Sequence, residues 1–398
     1  MPWTTSKTIA EERREFCEEA LLHNVPIAKL CKQYGISRKT AYKWIKRYLK
    51  GDSLESQSKR PKSSPGATPQ EVVDAIVELK AKHRFLGGVK IAIMLKSRGM
   101  QQVPSGTTVT SIMRAHDLLD KQASSNAKRL IRFVKNRSNE MWQMDYKGHF
   151  PLLDGTRCHP FTCIDDYSRF CLGNEALLDE TRSTLTPVLI RIFREYGLPF
   201  SILCDNGSPW GYSLDGGITR FETWMMELGV LVLHGRPIHP QTQGKDERFN
   251  RTVLSEAIRF CDRTNLASVS VGLSEYREFY NNQRPHFAID CKCPADIYKP
   301  SAVPYPETIS NWEYPPGCHL RKIDSYGRIY FKNRVSYFTT GLTGKTIALS
   351  PSTKDGCWNI LFRQFIVGRY NQATSGFDFI RPYRIEGDPR EGKSFPGL

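Results

Sequence analysis

Residues 200–207, FSILCDNG, form an apolar run that ends in Asp205 at an Asp-Asn-Gly turn, and working outward from this strand gives the fold class. Upstream, WQMDYKGHF (142–150), CHPFTCIDDYSRF (158–170) and CLGNEALL (171–178) read as three successive strands of a meander, followed by helix signals from Ser183 to Tyr196. Downstream, GITRFETWMMELG (217–229) reads as a helix and VLVLHG (230–235) as a strand, and a further helix begins near Gly244. Strand-like and helix-like stretches thus alternate over residues 139–300, which predicts a mixed α/β domain with helices layered on a sheet.

That reading gives three acids addresses. Asp145 lies in the first strand, Asp205 ends the fourth, and Glu247 sits one turn into the helix from Gly244. Hard carboxylate oxygens are the ligands Mg²⁺ prefers, and two such ions suit an in-line displacement at a phosphodiester. Each acid also has a structural reading. Asp145 reads equally as a buried hydrogen-bonded residue, Asp205-Asn206-Gly207 as an ordinary turn, and Glu247 as helix decoration paired with Arg251 at i+4. Asp246 competes for the third position, since one residue turns a helix face by about 100°. Lys245, Arg248 and Arg251 flank Glu247, with His239 and Gln243 before it, and are candidates for phosphate contact.

Charge separates the front of the chain from the rest. Of 57 Lys+Arg and 41 Asp+Glu in 398 residues, net +16, residues 1–138 hold 27 and 12, which leaves 30 and 29 for residues 139–398. A basic front on a nearly neutral body points to a polyanionic partner. Within VPIAKLCKQYGISRKTAYKWIKRYLK (25–50), a short helix, Gly35 and the N-cap Ser37 give helix-turn-helix spacing. Ala41, Trp44, Ile45 and Tyr48 form the packing face, leaving Arg38, Lys39, Tyr42, Lys43 and Lys46 to reach a DNA major groove. Residues 51–69 are a Ser/Pro/Gly linker, and residues 70–120 resemble a second helix-turn-helix with start signals at Ser105 and Thr107. Residues 121–138 are a basic linker whose Lys128, Arg129 and Arg132 suit phosphates. A Pro-rich linker at 301–317 precedes short alternating strands over 318–398, which predict a small β-barrel. No apolar run is long enough for a membrane span, no secretion signal opens the chain, and eleven scattered cysteines suit a reducing cytoplasm.

The blocks WQMDYKG, IDDYSRF, LCDNGSPW, RPIHPQTQGKDERFNRT and YNNQRPH stand in the order and rough spacing of the integrase-core transposases of bacterial insertion sequences, kin of retroviral integrases, and the chain resembles them over nearly its whole length. The resemblance implies a multidomain protein: N-terminal all-α helix-turn-helix units, a central α/β ribonuclease H-like core and a C-terminal SH3-like β-barrel. It implies a D-D-E site at Asp145, Asp205 and Glu247, with the family's G-x-x-E pattern favouring Glu247 over Asp246. The 42 positions from Asp205 to Glu247 (247 − 205) exceed the retroviral step, and the polar loop GYSLDGG (211–217) accommodates the difference. Asp165 and Asp166 gain no catalytic role and read as structural.

The expected cofactors are two Mg²⁺, with Mn²⁺ able to substitute. The expected partners are double-stranded DNA, as element terminal inverted repeats and target, and further copies of the chain in a synaptic complex on the bacterial nucleoid. The expected activity is strand cleavage and strand transfer. Two rivals stand beside it: a catalytically silent DNA-binding regulator, and a metal-dependent nuclease that cuts without joining.

Overall fold

The computed structural model describes residues 8–56, 66–119, 135–211, 217–235, 244–374 and 376–385, with the side chains of 244–247 outside the description. The chain divides into two compact units, Met1–Ala67 and Thr68–Leu398.

The first unit holds α1 (Ile9–Leu21), α2 (Ile27–Gln33) and α3 (Arg38–Leu49). Thr8 and Glu11 close a capping box on α1, and Ser37 caps α3 by accepting from the Thr40 amide at 3.2 Å. Gly35, at φ +60°, makes the turn between α2 and α3 in a left-handed conformation that favours glycine. Phe16, Leu30, Ala41 and Trp44 bury the shared core. The Arg13 guanidinium lies 3.8 Å over the Trp44 ring and donates to the Leu54 carbonyl at 2.6 Å, fastening the segment after α3.

The second unit opens with α4 (Gln70–Lys82), α5 (Gly88–Ser97) and α6 (Gly106–Ala115), the last capped by Ser105. Helices α5 and α6 cross so closely that a Cβ on Gly88 would stand 2.5 Å from the Gly106 carbonyl oxygen. The strands β1 (Trp142–Tyr146), β2 (Phe150–Pro151), β3 (Arg157–Asp165) and β4 (Cys171–Leu177) follow, then α7 (Arg182–Tyr196), β5 (Ser201–Cys204), α8 (Arg220–Glu227) and β6 (Leu231–His234). The stretch expected as one strand over 142–150 is thus two short ones, β1 and β2. Strand β3 pairs antiparallel with β1 on one edge and β4 on the other, while β5 adds parallel to β1 and β6 parallel to β5. The resulting mixed sheet carries Trp142, Phe161 and Ile202 in a core with Leu189 and Phe193 of α7 and Met225 of α8.

Helix α9 (Gly244–Val253) passes into a π-helical turn, Leu254–Ile258, and α10 (Leu266–Asn282) then packs on β4. On the far side of α10 the core continues without a break into α4–α6. Phe249, Val253, Leu273 and Phe279 are buried with Ile76, Ile91, Val109 and Met113, and His83 stacks on Phe279 at 4.1 Å. The helical unit read as 70–120 therefore shares its hydrophobic core with the α/β domain.

The C-terminal strands are β7 (His319–Lys322), β8 (Arg328–Phe331), β9 (Arg334–Tyr337), β10 (Thr346–Pro351), β11 (Cys357–Phe362), β12 (Phe365–Asn371) and β13 (Gly376–Arg384). They leave the expected SH3-like barrel unconfirmed. The five-stranded antiparallel order is β13-β12-β11-β10-β7, and among the described residues no pairing joins β7 to β13. The hairpin of β8 and β9 lies against both edge strands, β7 and β13, and the end of β13 reaches β6. There Arg384 binds the carbonyls of Phe200 and Gly229, which lead into β5 and β6. No helix among the described residues is long and apolar enough to cross a membrane.

Candidate active site

The parallel pairing of β1 with β5 sets the site. Trp142 lies beside Ile202 and Gln143 beside Leu203. Asp145 lies further along β1, and Asp205 directly follows the last residue of β5, close enough for its charge to act on Asp145. Both acids are half-buried. Burial, and after it the like charge of Asp205, push the Asp145 carboxyl up to about 6.

The Asn250 amide of α9 donates to Oδ2 of Asp145. Asn250 is itself completely buried and held by the Thr162 hydroxyl of β3 at 2.9 Å, so α9, β3 and β1 are tied at this point. On the Asp205 side, the Gly207 amide donates to Oδ1 at 2.9 Å, closing the turn. His234, the ladder partner of Cys204, donates from Nδ1 to the Asp205 carbonyl at 2.9 Å, and its Nε2 lies 3.2 Å from Oε1 of Glu222. Burial pulls His234 down, but its bonds to Glu222 and to that carbonyl outweigh it and raise the imidazole above its ordinary value.

The third expected acid, Glu247, has its side chain outside the described residues, as have Lys245 and the rival Asp246. Position 247 lies in α9 three residues before Asn250. Among the described residues no group of three or more His, Cys, Asp or Glu side chains stands close enough to hold a metal. The two acids present fit a hard divalent cation nonetheless, since a positive charge between them offsets the burial and mutual repulsion that raise Asp145.

Asp165 and Asp166 are wholly committed within the protein. Asp165 accepts from the Asn139 amide at 2.7 Å and from the Ser168 hydroxyl at 2.6 Å, and Asp166 accepts from Gln143 at 2.6 Å. Arg284, in the YNNQRPH block, forms a bidentate buried pair with Glu256 at 2.7 and 2.6 Å, and Tyr276 donates to the same carboxylate at 2.9 Å. Its neighbour His286 is held far below its usual value, to about 2, by burial and by the charges of Arg284 and Lys90.

The expected DNA contacts fall in three places. Arg38, Lys39, Tyr42, Lys43 and Lys46 are all exposed on α3, opposite buried Ala41 and Trp44. Arg248 and Arg251 are exposed on α9, on either side of buried Phe249 and Asn250. Lys128, Arg129 and Arg132 lie outside the described residues, as do His239 and Gln243. The sequence reading passed over Asn250, Thr162, Glu222 and His234. The sequence held a partial signal for His234, a histidine that ends the apolar run VLVLHG just as Asp205 ends FSILCDNG.

The chain is similar to known proteins over several stretches. Integrase core domain families match residues 135–240 and 228–294, and a helix-turn-helix domain family matches residues 12–62. The insertion element IS476 uncharacterized 39.2 kDa protein of Xanthomonas euvesicatoria is 21% identical over 71% of this chain and 76% of its own length. The insertion element IS407 uncharacterized 31.7 kDa protein of Burkholderia multivorans is 25% identical over 40% of this chain and 55% of its own length. Among solved structures, the HTLV-2 integrase catalytic core domain in complex with magnesium aligns with 40% of this chain and 97% of its own, at 16% identity and a TM-score of 0.32. Integrase core matches thus run from residue 135 to residue 294 behind a helix-turn-helix match, and the chain is similar over these stretches to proteins of bacterial insertion elements.

Proposed function

We propose that this chain is a DNA transposase that binds the ends of an insertion sequence and catalyses metal-dependent strand cleavage and strand transfer through Asp145, Asp205 and Glu247 in a ribonuclease H-like core. The observation that supports the reading is the half-buried Asp145 carboxyl, raised by burial and by the charge of Asp205, a cost that a cation would offset.

When bound, two Mg²⁺ would supply activation of the attacking oxygen and stabilisation of the leaving one. Asp145 and Asp205 would hold them from the sheet and Glu247 from α9. Asn250 fixes the Asp145 carboxylate by its amide, which leaves the other oxygen free of that bond. Exposed Arg248 and Arg251 on α9 would grip the phosphates on either side of the cut, and the basic face of α3 would seat in the major groove of the element ends. Both chemical steps are phosphoryl transfers that need no protein nucleophile: water attacks first, and the freed 3′-hydroxyl then attacks target DNA. A protein of this kind would act in the cytoplasm on the nucleoid, as a homo-oligomer that pairs two inverted ends.

The test incubates the full chain with the DNA flanking its gene and a target plasmid, in Mg²⁺ or EDTA, beside Glu247→Gln. Mg²⁺-dependent 3′ ends and joined products from the wild type alone are the expected result. Tight binding without cutting would refute catalysis, and free ends that are never joined would mark a nuclease.

A further inference from the structure

Asp205 lies one residue past the end of β5, in a turn, where its own backbone has no ladder partner to hold it in place. Its carbonyl is instead received by His234, and the strap continues: His234 Nε2 meets Glu222 Oε1, while Glu222 Oε2 accepts from the Thr219 amide at 2.7 Å, at the N-cap of α8. A carbonyl can only accept, so Nδ1 of His234 must donate, which orients the ring and presents its other nitrogen to the carboxylate. Glu222 is buried and has one oxygen committed to each neighbour, so the position of Asp205 follows the position of the α8 N-terminus.

That N-terminus is held in turn by the C-terminal module. The fully buried Thr339 hydroxyl accepts from the Ile218 amide at 3.1 Å, and the Thr223 hydroxyl donates to the Gly341 carbonyl at 2.9 Å. A Cβ at Gly341 would come within 1.9 Å of the Ile218 carbonyl oxygen, so only glycine admits this contact. Lys345 pairs with Glu227 at the other end of α8. Ile218 and Met226 are buried in the same apolar cluster as Ile329, Leu342 and Val367 of the module. Arg384 adds a second hold by bonding the carbonyls that lead into β5 and β6, the strands that end next to Asp205 and at His234.

We propose that Glu222 and His234 are positioning residues for the Asp205 carboxylate, and that the C-terminal module completes the metal site by fixing the α8 N-terminus against which they rest. The module is thereby part of the catalytic apparatus and not an appendage joined by the proline-rich segment. The inference rests on the reading of Asp205 as a metal ligand, and its test keeps the two apart.

The experiment titrates Mn²⁺ into the full chain without DNA, following loss of the free-ion EPR signal, for wild type, Asp205→Asn, Glu222→Gln and Thr339→Val. Groups that orient a ligand without touching the metal are worth about 10- to 100-fold in affinity. The expected result is loss of binding in Asp205→Asn and roughly tenfold weaker binding in both other variants. In cleavage assays those two variants should show a raised Mg²⁺ requirement at an unchanged KM for DNA. Thermal melts identify any variant that fails to fold. Thr339→Val preserves shape and touches neither carboxylate, so it carries the test if Glu222→Gln unfolds. Wild-type Mn²⁺ affinity in folded Glu222→Gln or in Thr339→Val, with binding lost in Asp205→Asn, overturns the proposal. Intact binding in Asp205→Asn overturns the metal-ligand reading beneath it.

Discussion

Replacing Asp145 by asparagine should stabilise this protein when no divalent ion is present. The unfolded chain releases the Asp145 proton near 3.8, whereas burial and then the charge of Asp205 make the folded chain hold it up to about 6. Between those values the native state binds the extra proton, so this group lowers stability as pH rises; none of the penalty is present below pH 4 and all of it above pH 7. About 2 pKa units at 1.36 kcal/mol each give roughly 3 kcal/mol. Asp145→Asn removes the charge and keeps an oxygen to accept from Asn250, so that penalty disappears. At about 2 °C per kcal/mol for a unit this large, the variant should melt about 6 °C higher at pH 8 in EDTA. The assay is thermal denaturation followed by circular dichroism from pH 4.5 to 8, with Mg²⁺ added in a second series. The variant's advantage should grow with pH, and added Mg²⁺ should raise the melting temperature of the wild type only. An offset that does not change with pH, or equal melting temperatures at pH 8 in EDTA, would refute the electrostatic account of the Asp145–Asp205 pair.

Glu256→Ala leaves the Arg284 guanidinium buried without its counter-ion, and should cost about 3–5 kcal/mol in urea unfolding; adding Arg284→Met should recover most of that loss. Lys43→Ala and Lys46→Ala should each weaken binding of element-end DNA and flatten the salt dependence of log Kd by about 1 unit, measured by fluorescence anisotropy between 50 and 200 mM salt. Ser37→Ala removes the α3 cap and should lower the stability of an isolated 1–67 fragment by about 1 kcal/mol, read from its urea midpoint, if that fragment proves to fold alone.

Local patterns carried much of this architecture. Three successive strand-like blocks from Trp142 to Leu178 marked the meander, and Ser37 and Ser105 marked helix starts that the structure has at those residues. What local patterns do not contain is register. That the Asp205 charge reaches Asp145 depends on the pairing of β1 with β5, a tertiary fact with no trace in either strand alone. Asn250 escaped for a related reason: an uncharged amide in a basic helix has no titration chemistry to advertise it, and its importance comes only from the carboxylate across the gap. Short alternating strands specify a sheet but not its closure, so the barrel stays unconfirmed, and the hold of Arg384 on Phe200, 184 residues away, has no local trace either. The single core shared by α4–α6 and α10 was hidden by the basic segment between them, whose composition reads as a domain boundary.

That shared core also sets a timetable for synthesis. Helices α4–α6 leave the ribosome with an apolar surface whose cover, Phe249 to Tyr280, has not yet been made. From residue 119 to residue 280 the ribosome must add 161 residues (280 − 119), which at about 5–20 residues per second takes roughly 8–30 s. Through that interval the cluster of Ile76, Ile91 and Val109 lacks the part of its cover that Phe249 to Tyr280 supplies. A truncated transcript or a frameshift before residue 249 would release a product whose front helices present a sticky apolar face, marked for degradation or aggregation before it can occupy any DNA.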